Sequence, residues 1–181
     1  MASEKIDILK RILLENSILR GKFMLASGKE SDYYIDARIT TLHPEGVSLV
    51  ADIFLEEIKH DPLIGAVGGP TMGADPIVGA LLGASYRGNY PLRGFLVRKK
   101  EKEHGTGKLV EGNLRSGDNA AIVEDVVTSG GSVITAVDAV RSTGALARKI
   151  LVIVDREEGA AEKFREMGID FYSIFKISEI L

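Results

Sequence analysis

Ile122-Val123-Glu124-Asp125-Val126-Val127-Thr128-Ser129-Gly130-Gly131-Ser132 is the stretch on which the reading of the chain turns. Ala120 to Val123 is apolar or small, as a strand covered on both faces of a sheet requires. Two carboxylates then stand side by side where that strand should end. After Val126 and Val127 come two hydroxyls, two glycines and a third hydroxyl, and the periodicity beyond them predicts a helix over Gly131 to Thr143. In open parallel sheets, ligands sit beyond the carboxyl ends of the strands. A Thr/Ser/Gly bend opening a helix offers unpaired amide N–H groups and the positive end of the helix dipole, which suits a phosphate. Its glycines admit positive φ and close approach of the backbone. Glu124 and Asp125 would repel that phosphate, so they must serve another part of the ligand. Ionised carboxylates only accept hydrogen bonds, and the vicinal hydroxyls of a ribose are natural donors. Taken singly, paired acids or a Ser-Gly-Gly turn are ordinary structural features; the full order reads as a cradle for a ribose and its phosphate. It is neither a Walker A loop nor a GxGxxG fingerprint.

Working outward, strand and helix signals alternate. Ser3 is placed to cap a first helix with Ile6, Leu9 and Leu13 on its apolar face, ending near Gly21. Phe23 to Ile39 reads as short strands about a Ser27-Gly28 turn. Pro44-Glu45 opens a helix to about Lys59, with Val47, Val50, Ile53, Phe54 and Ile58 on one face. Strands are predicted over Ile64 to Val67, Gly94 to Val97, Asn119 to Val127, Lys149 to Val154 and Phe171 to Phe175. Helices are predicted over Ala74 to Ala84 and Gly159 to Met167, and Arg98 to Gly112 reads as a charged, glycine-punctuated loop. This is an α/β pattern with a parallel sheet covered on both faces, the N-terminal hairpin forming a small hood over its edge.

The chain has 181 residues, 45% apolar and 27% charged. At roughly 150 residues per domain, one domain spanning 1–181 is expected, with the hood formed mainly by about 1–42. There is no cysteine, which excludes disulfides, thiolate metal sites and a cysteine nucleophile. The net charge is −3, so no nucleic-acid partner is expected. The N-terminus is polar and no run approaches the roughly 18 apolar residues of a membrane helix. The expectation is a cytoplasmic protein without a membrane partner.

The Glu124–Ser132 stretch resembles the phosphoribosyl pyrophosphate (PRPP) motif of type I phosphoribosyltransferases. On its own, Arg98-Lys99-Lys100-Glu101-Lys102-Glu103-His104-Gly105-Thr106-Gly107-Lys108, with five cations, reads as a solvated loop or as a lid for a highly charged substrate. The order Arg-Lys-x-x-Lys-x-His-Gly is similar to the catalytic loop of orotate phosphoribosyltransferases. Phe23-Met24-Leu25-Ala26-Ser27-Gly28-Lys29-Glu30-Ser31-Asp32-Tyr33-Tyr34-Ile35-Asp36-Ala37-Arg38 resembles that family's hood, with its Phe-x-Leu-x-Ser-Gly and Tyr-x-Asp-x-Arg elements. Val154-Asp155-Arg156-Glu157-Glu158-Gly159-Ala160 resembles its base-binding stretch, and Gly68-Gly69-Pro70-Thr71-Met72-Gly73-Ala74-Asp75-Pro76 its pyrophosphate loop.

The resemblance runs from about Ile6 to Phe175 and implies the parallel-sheet type I phosphoribosyltransferase fold. It implies transfer of the phosphoribosyl group of PRPP to orotate in pyrimidine biosynthesis, with Mg2+ carried mainly by PRPP and water. Arg98, Lys102 and His104 are then catalytic. Arg98, Lys99, Lys102, His104, Glu124, Asp125, Val126, Val127, Thr128, Ser129, Gly130, Gly131 and Ser132 bind PRPP, and Thr128 and Arg156 contact orotate. The family's lid reaches the neighbouring subunit, so a homodimer with shared lids is implied. Two family lysines are replaced here by Ala26 and Met72, shifting charge neutralisation onto Arg98, Lys99, Lys102 and the metal. With the chain ending at Leu181, no fused orotidylate decarboxylase domain is expected. The alternatives are transfer to another nucleobase, or a PRPP-sensing regulator; the latter would need a basic face or a spare nucleic-acid module.

Overall fold

The computed structural model describes residues 2–24, 30–99 and 109–181. Helix α1 (Ala2–Asn16) leads into a two-stranded antiparallel hairpin, β1 (Ile18–Met24) and β2 (Glu30–Ile35), followed by α2 (Ala37–Thr41) and α3 (Pro44–Lys59). The main sheet is built from β3 (Ala66–Pro70), β4 (Arg93–Val97), β5 (Val110–Gly112), β6 (Asn119–Val127), β7 (Leu146–Asp155) and β8 (Asp170–Lys176). Between them lie α4 (Ala74–Arg87), α5 (Gly131–Ser142) and α6 (Ala160–Glu166), and α7 (Ile177–Ile180) follows β8.

The strand order is β5-β4-β3-β6-β7-β8. Five strands are parallel and β5 runs antiparallel to β4 at the edge. The chain moves outward from β3 to β4, then returns to the other side of β3 for β6. That reversal makes the carboxyl ends of β3 and β6 the switch-point crevice of the sheet.

Alternation along β6 fills two cores. Ala121 and Val123 join Leu9, Leu13, Phe54, Ile58 and Leu81 from α1, α3 and α4 on one face. Ala120 and Ile122 join Val133, Val137, Val140 and Phe164 from α5 and α6 on the other. A strand buried on both faces has no polar positions, hence the unbroken apolar runs of β6 and β7.

Three local expectations are corrected. The first helix ends at Asn16 rather than near Gly21, and Ser3 lies inside it rather than capping it. Buried Ser17 donates its N–H to the Leu13 carbonyl, and its hydroxyl bonds that of Thr40 at 2.7 Å, which turns the chain out of the helix. Because α1 buries Leu9 and Leu13 in the main core, the part that stands over the strand ends is the hairpin with α2. Finally, residues 110–112 pair with β4 instead of continuing the loop.

Candidate active site

At the end of β6 the backbone is buried through Val123, and Glu124 remains only 6% exposed. Its Oε1 accepts the Asp125 N–H at 3.2 Å and its Oε2 accepts the Ser132 hydroxyl at 3.3 Å. Burial, followed by the neighbouring Asp125 carboxyl, pushes its pKa up to about 9. Burial and the neighbouring carboxyl thus favour the protonated form of Glu124, in which it can both donate and accept. Gly73, in the turn after β3, lies against both acids; a Cβ there would run into Glu124 Oε1 and come within 2.6 Å of Asp125 Oδ1. The absent side chain is what lets that loop close over the pair.

The bend that follows is shaped for close packing. Gly130 has φ +82° and a Cβ on it would meet the Phe164 ring at 3.0 Å. It caps α5 without a side-chain hydrogen bond, and the first turn of α5 holds no acidic residue. The α5 N-terminus therefore keeps an uncompensated positive end beside the acids. From α6, Lys163 Nζ donates to the Ser129 carbonyl at 2.8 Å and pins the bend from behind.

Facing this floor is a cavity of about 440 Å³ lined by Tyr34 to Arg38, Pro70 to Gly73, Lys99, Glu124, Asp125, Val126 and Ser132. Arg38 forks onto Asp36, with Nε to Oδ1 at 2.7 Å and Nη2 to Oδ2 at 2.8 Å. The guanidinium holds the Asp36 carboxyl below its ordinary range. The hood thus turns a cation toward the acid pair.

One strand over, β7 ends in Asp155, buried and pushed up in pKa by that burial. Its Oδ1 accepts the Glu157 N–H at 2.9 Å, and Glu157 sits at φ 56°. The Arg156 N–H donates to the Val127 carbonyl at 2.9 Å, which sets Arg156 beside the bend that begins with Thr128. Its guanidinium lies over the Tyr33 ring, 5.2 Å from the centroid. Nη2 donates to the Tyr33 hydroxyl at 3.4 Å and pairs with Glu158 Oε1 at 3.2 Å, while Nε is buried with no partner among the described residues.

Of the residues singled out from the sequence, Lys99, Glu124, Asp125, Val126 and Ser132 line the cavity. Thr128, Ser129, Gly130 and Gly131 form the bend beside it. The Val127 side chain is in the core, and its carbonyl accepts the Arg156 N–H. Arg98 does not line the cavity; its guanidinium stands 3.9 Å from Glu111, beside β5. Lys102, His104 and Ala26 lie outside the described residues. Met72 is 64% exposed on the cavity wall. Tyr33, Tyr34, Asp36 and Arg38 belong to the hood stretch that carries the resemblance, Gly73 to the Gly68–Pro76 turn and Glu158 to the stretch after β7, whereas Lys163 carries no signal in the sequence. The Tyr-x-Asp-x-Arg order was the signal for Tyr34, Asp36 and Arg38.

Among the described residues, no three His, Asp or Glu side chains cluster as metal ligands. The Glu124–Asp125 pair fits a divalent cation only as part of a set completed by substrate oxygens and water.

No protein-family model matches the chain. It is 45% identical over 177 residues to the orotate phosphoribosyltransferase of Rhodopseudomonas palustris (strain BisB5), covering 96% of this chain and 94% of that one. It is 44% identical to the orotate phosphoribosyltransferase of Pyrococcus horikoshii over 177 residues, covering 97% and 92%. Its structure matches that of Mycobacterium tuberculosis H37Rv orotate phosphoribosyltransferase in complex with PRPP, with a TM-score of 0.81, 33% identity, and 97% and 98% of the two chains covered. With identity at this level along nearly the whole of both sequences, the chain belongs to the orotate phosphoribosyltransferase family.

Proposed function

We infer that the protein transfers the phosphoribosyl group of PRPP to orotate, releasing pyrophosphate and forming orotidine 5′-monophosphate for UMP synthesis. The observation that carries this is the juxtaposition at the end of β6. Buried Glu124 and half-buried Asp125 abut an uncompensated helix N-terminus, and both face a cavity whose opposite wall supplies Arg38 and Lys99.

The ribose hydroxyls lie on Glu124 and Asp125, and the 5′-phosphate lies in the bend 128–132 against the α5 amides. The diphosphate extends toward 70–73 and Lys99. The base lies between the hood and Arg156, whose fixed fork of donors suits carbonyl and carboxylate oxygens. The C1–O bond to pyrophosphate breaks with its electron pair leaving on the pyrophosphate. Orotate N1 forms the new bond to C1, and its proton is lost to pyrophosphate or water. No protein nucleophile takes part. The residues act by positioning the two reactants and by placing cations where leaving-group charge develops. Lys102, His104 and Arg98 add positive charge at the leaving group, and His104 or Lys102 supplies it with a proton. Magnesium on the diphosphate supplies Lewis-acid neutralisation when bound. The same reading carries a homodimer with lids shared between subunits, in the cytoplasm.

The test is spectrophotometric. Protein, magnesium, PRPP and orotate are mixed and the orotate absorbance is followed, with uracil and adenine run in parallel. Loss of orotate absorbance only when PRPP is present supports the assignment. Turnover of adenine or uracil in preference to orotate, or no turnover of any base, overturns it.

A further inference from the structure

We propose that Tyr33 is a positioning residue for the base site, its hydroxyl aiming Arg156 from the hood. The inference rests on the reading of Arg156 as the base-side donor and goes one step beyond it. A guanidinium carries five N–H donors in a rigid plane, two of them on Nη2. Two acceptors meet Nη2: the Tyr33 hydroxyl at 3.4 Å and Glu158 Oε1 at 3.2 Å. They come from different parts of the fold, one from β2 in the hood and the other from the loop after β7. With two acceptors on Nη2 and its Cζ 5.2 Å from the centroid of the Tyr33 ring, the guanidinium has little freedom to turn. Its Nε is then left buried without an acceptor among the described residues. A buried N–H on a charged group calls for a partner. A planar base bearing a carbonyl or carboxylate supplies one.

Tyr33 is itself well fixed. Ser31 Oγ donates to the Tyr33 carbonyl at 2.7 Å and accepts its N–H at 3.4 Å. The hydroxyl therefore transmits the placement of the hairpin to a side chain 123 residues away in sequence. Arg156 is aimed only when the hood is seated.

Tyr33→Phe isolates the hydroxyl, because the ring and its cation–π contact stay. The expected result is a rise of about fivefold in KM for orotate, with kcat and KM for PRPP within about twofold of the parent. A residue that merely supports the hood would shift both KM values and the thermal midpoint together. Arg156→Gln, run alongside, should raise the orotate KM by about fiftyfold or more. Adding Tyr33→Phe to that variant should then do nothing further, since the arginine through which the hydroxyl acts is gone. If Arg156→Gln leaves the orotate KM unchanged, the base-site reading itself fails. If Arg156→Gln acts but Tyr33→Phe does not, the positioning role fails and the base site stands. If Tyr33→Phe retains its effect in the Arg156→Gln background, the hydroxyl touches substrate directly and positioning is again overturned.

Discussion

β6 and β7 are parallel neighbours that end alike, and the proposed phosphate site lies at the end of β6 alone. Each strand finishes near a buried acid whose pKa burial pushes up, Glu124 on β6 and Asp155 on β7. Each continues through a bend to a glycine with left-handed φ, Gly130 at +82° and Gly159 at +90°, and neither glycine brings a side-chain cap to its helix. The modules part at the helix. The α5 helix has 12 residues and no acid in its first turn, whereas α6 has seven residues and carries Glu162 there. Gly130 is wedged against Phe164, while a Cβ on Gly159 would meet nothing within 4 Å. The strand-bend-helix outline is therefore not what selects an anion. Selection comes from a dipole left uncompensated and a bend held rigid from behind.

The strongest way to break that contrast is to give α5 the charge that α6 already has. Ser132→Asp places a carboxylate in the first turn of α5, beside the bound phosphate. Two like charges about 4 Å apart at an effective dielectric near 20 repel by about 4 kcal/mol, so PRPP affinity should fall by roughly 100-fold or more. The reciprocal change, Glu162→Ser, should leave PRPP affinity within about twofold. Titration calorimetry with magnesium and PRPP reads both. Equal effects at the two helices would show that first-turn charge does not distinguish them.

The glycines give a smaller separation. Gly130→Ala combines a left-handed Cβ with a 3.0 Å approach to the Phe164 ring, and the bend must shift. The KM for PRPP should rise about tenfold, along with a loss of roughly 2 kcal/mol in stability. Gly159→Ala meets the left-handed penalty alone, about 1 kcal/mol, with PRPP kinetics unchanged. Urea unfolding and steady-state kinetics on the two variants measure this difference.

Glu124 sharpens the comparison through pH. Its folded pKa of about 9 lies above the ordinary 4.5. Between those values the folded chain keeps a proton that the unfolded chain has released. Stability contributed by the neutral acid is therefore present at low pH and is lost as pH rises through that window. Glu124→Gln removes the penalty. The ligand-free variant should melt about 5 °C above the parent at pH 8.5 and match it near pH 5. If ribose hydroxyls donate to Glu124, binding also favours its ionised form. The parent should then release up to about one proton per PRPP at pH 7, seen as a dependence of calorimetric heat on buffer, and the variant should lose that release.

What could be read in the sequence was what is local. The acids, the bend and the start of α5 are contiguous, and so are Asp155 and Arg156 at the next strand end, so residue order alone placed them. What escaped was set by distant partners. The raised pKa of Glu124 comes from burial that residue order does not show, and Gly73 of the loop after β3 packs against its carboxyl. The early end of α1 depends on a hydroxyl pair between Ser17 and Thr40, 23 residues apart. The edge strand β5 has three residues, and pairing with β4 outweighs a composition that reads as loop. Tyr33 and Glu158 look like ordinary surface residues until the hood and the β7 loop bring both to Arg156.

The smallest expected effect tests whether the two modules cooperate. Lys163 belongs to α6, yet its ammonium donates to the Ser129 carbonyl in the β6 bend at 2.8 Å. The bond ties the helix that lacks a phosphate site to the bend that has one. It also leaves a cation near that bend. Because the contact is exposed, solvent screens it and water can replace it. Lys163→Met keeps the stem and removes both the bond and the charge. Its PRPP KM should rise about two- to threefold, with kcat unchanged, and the difference should shrink as ionic strength increases. A loss that salt does not reduce would assign Lys163 a packing role behind the bend. No change at all would mean that Phe164 and the backbone of α6 hold the bend without it.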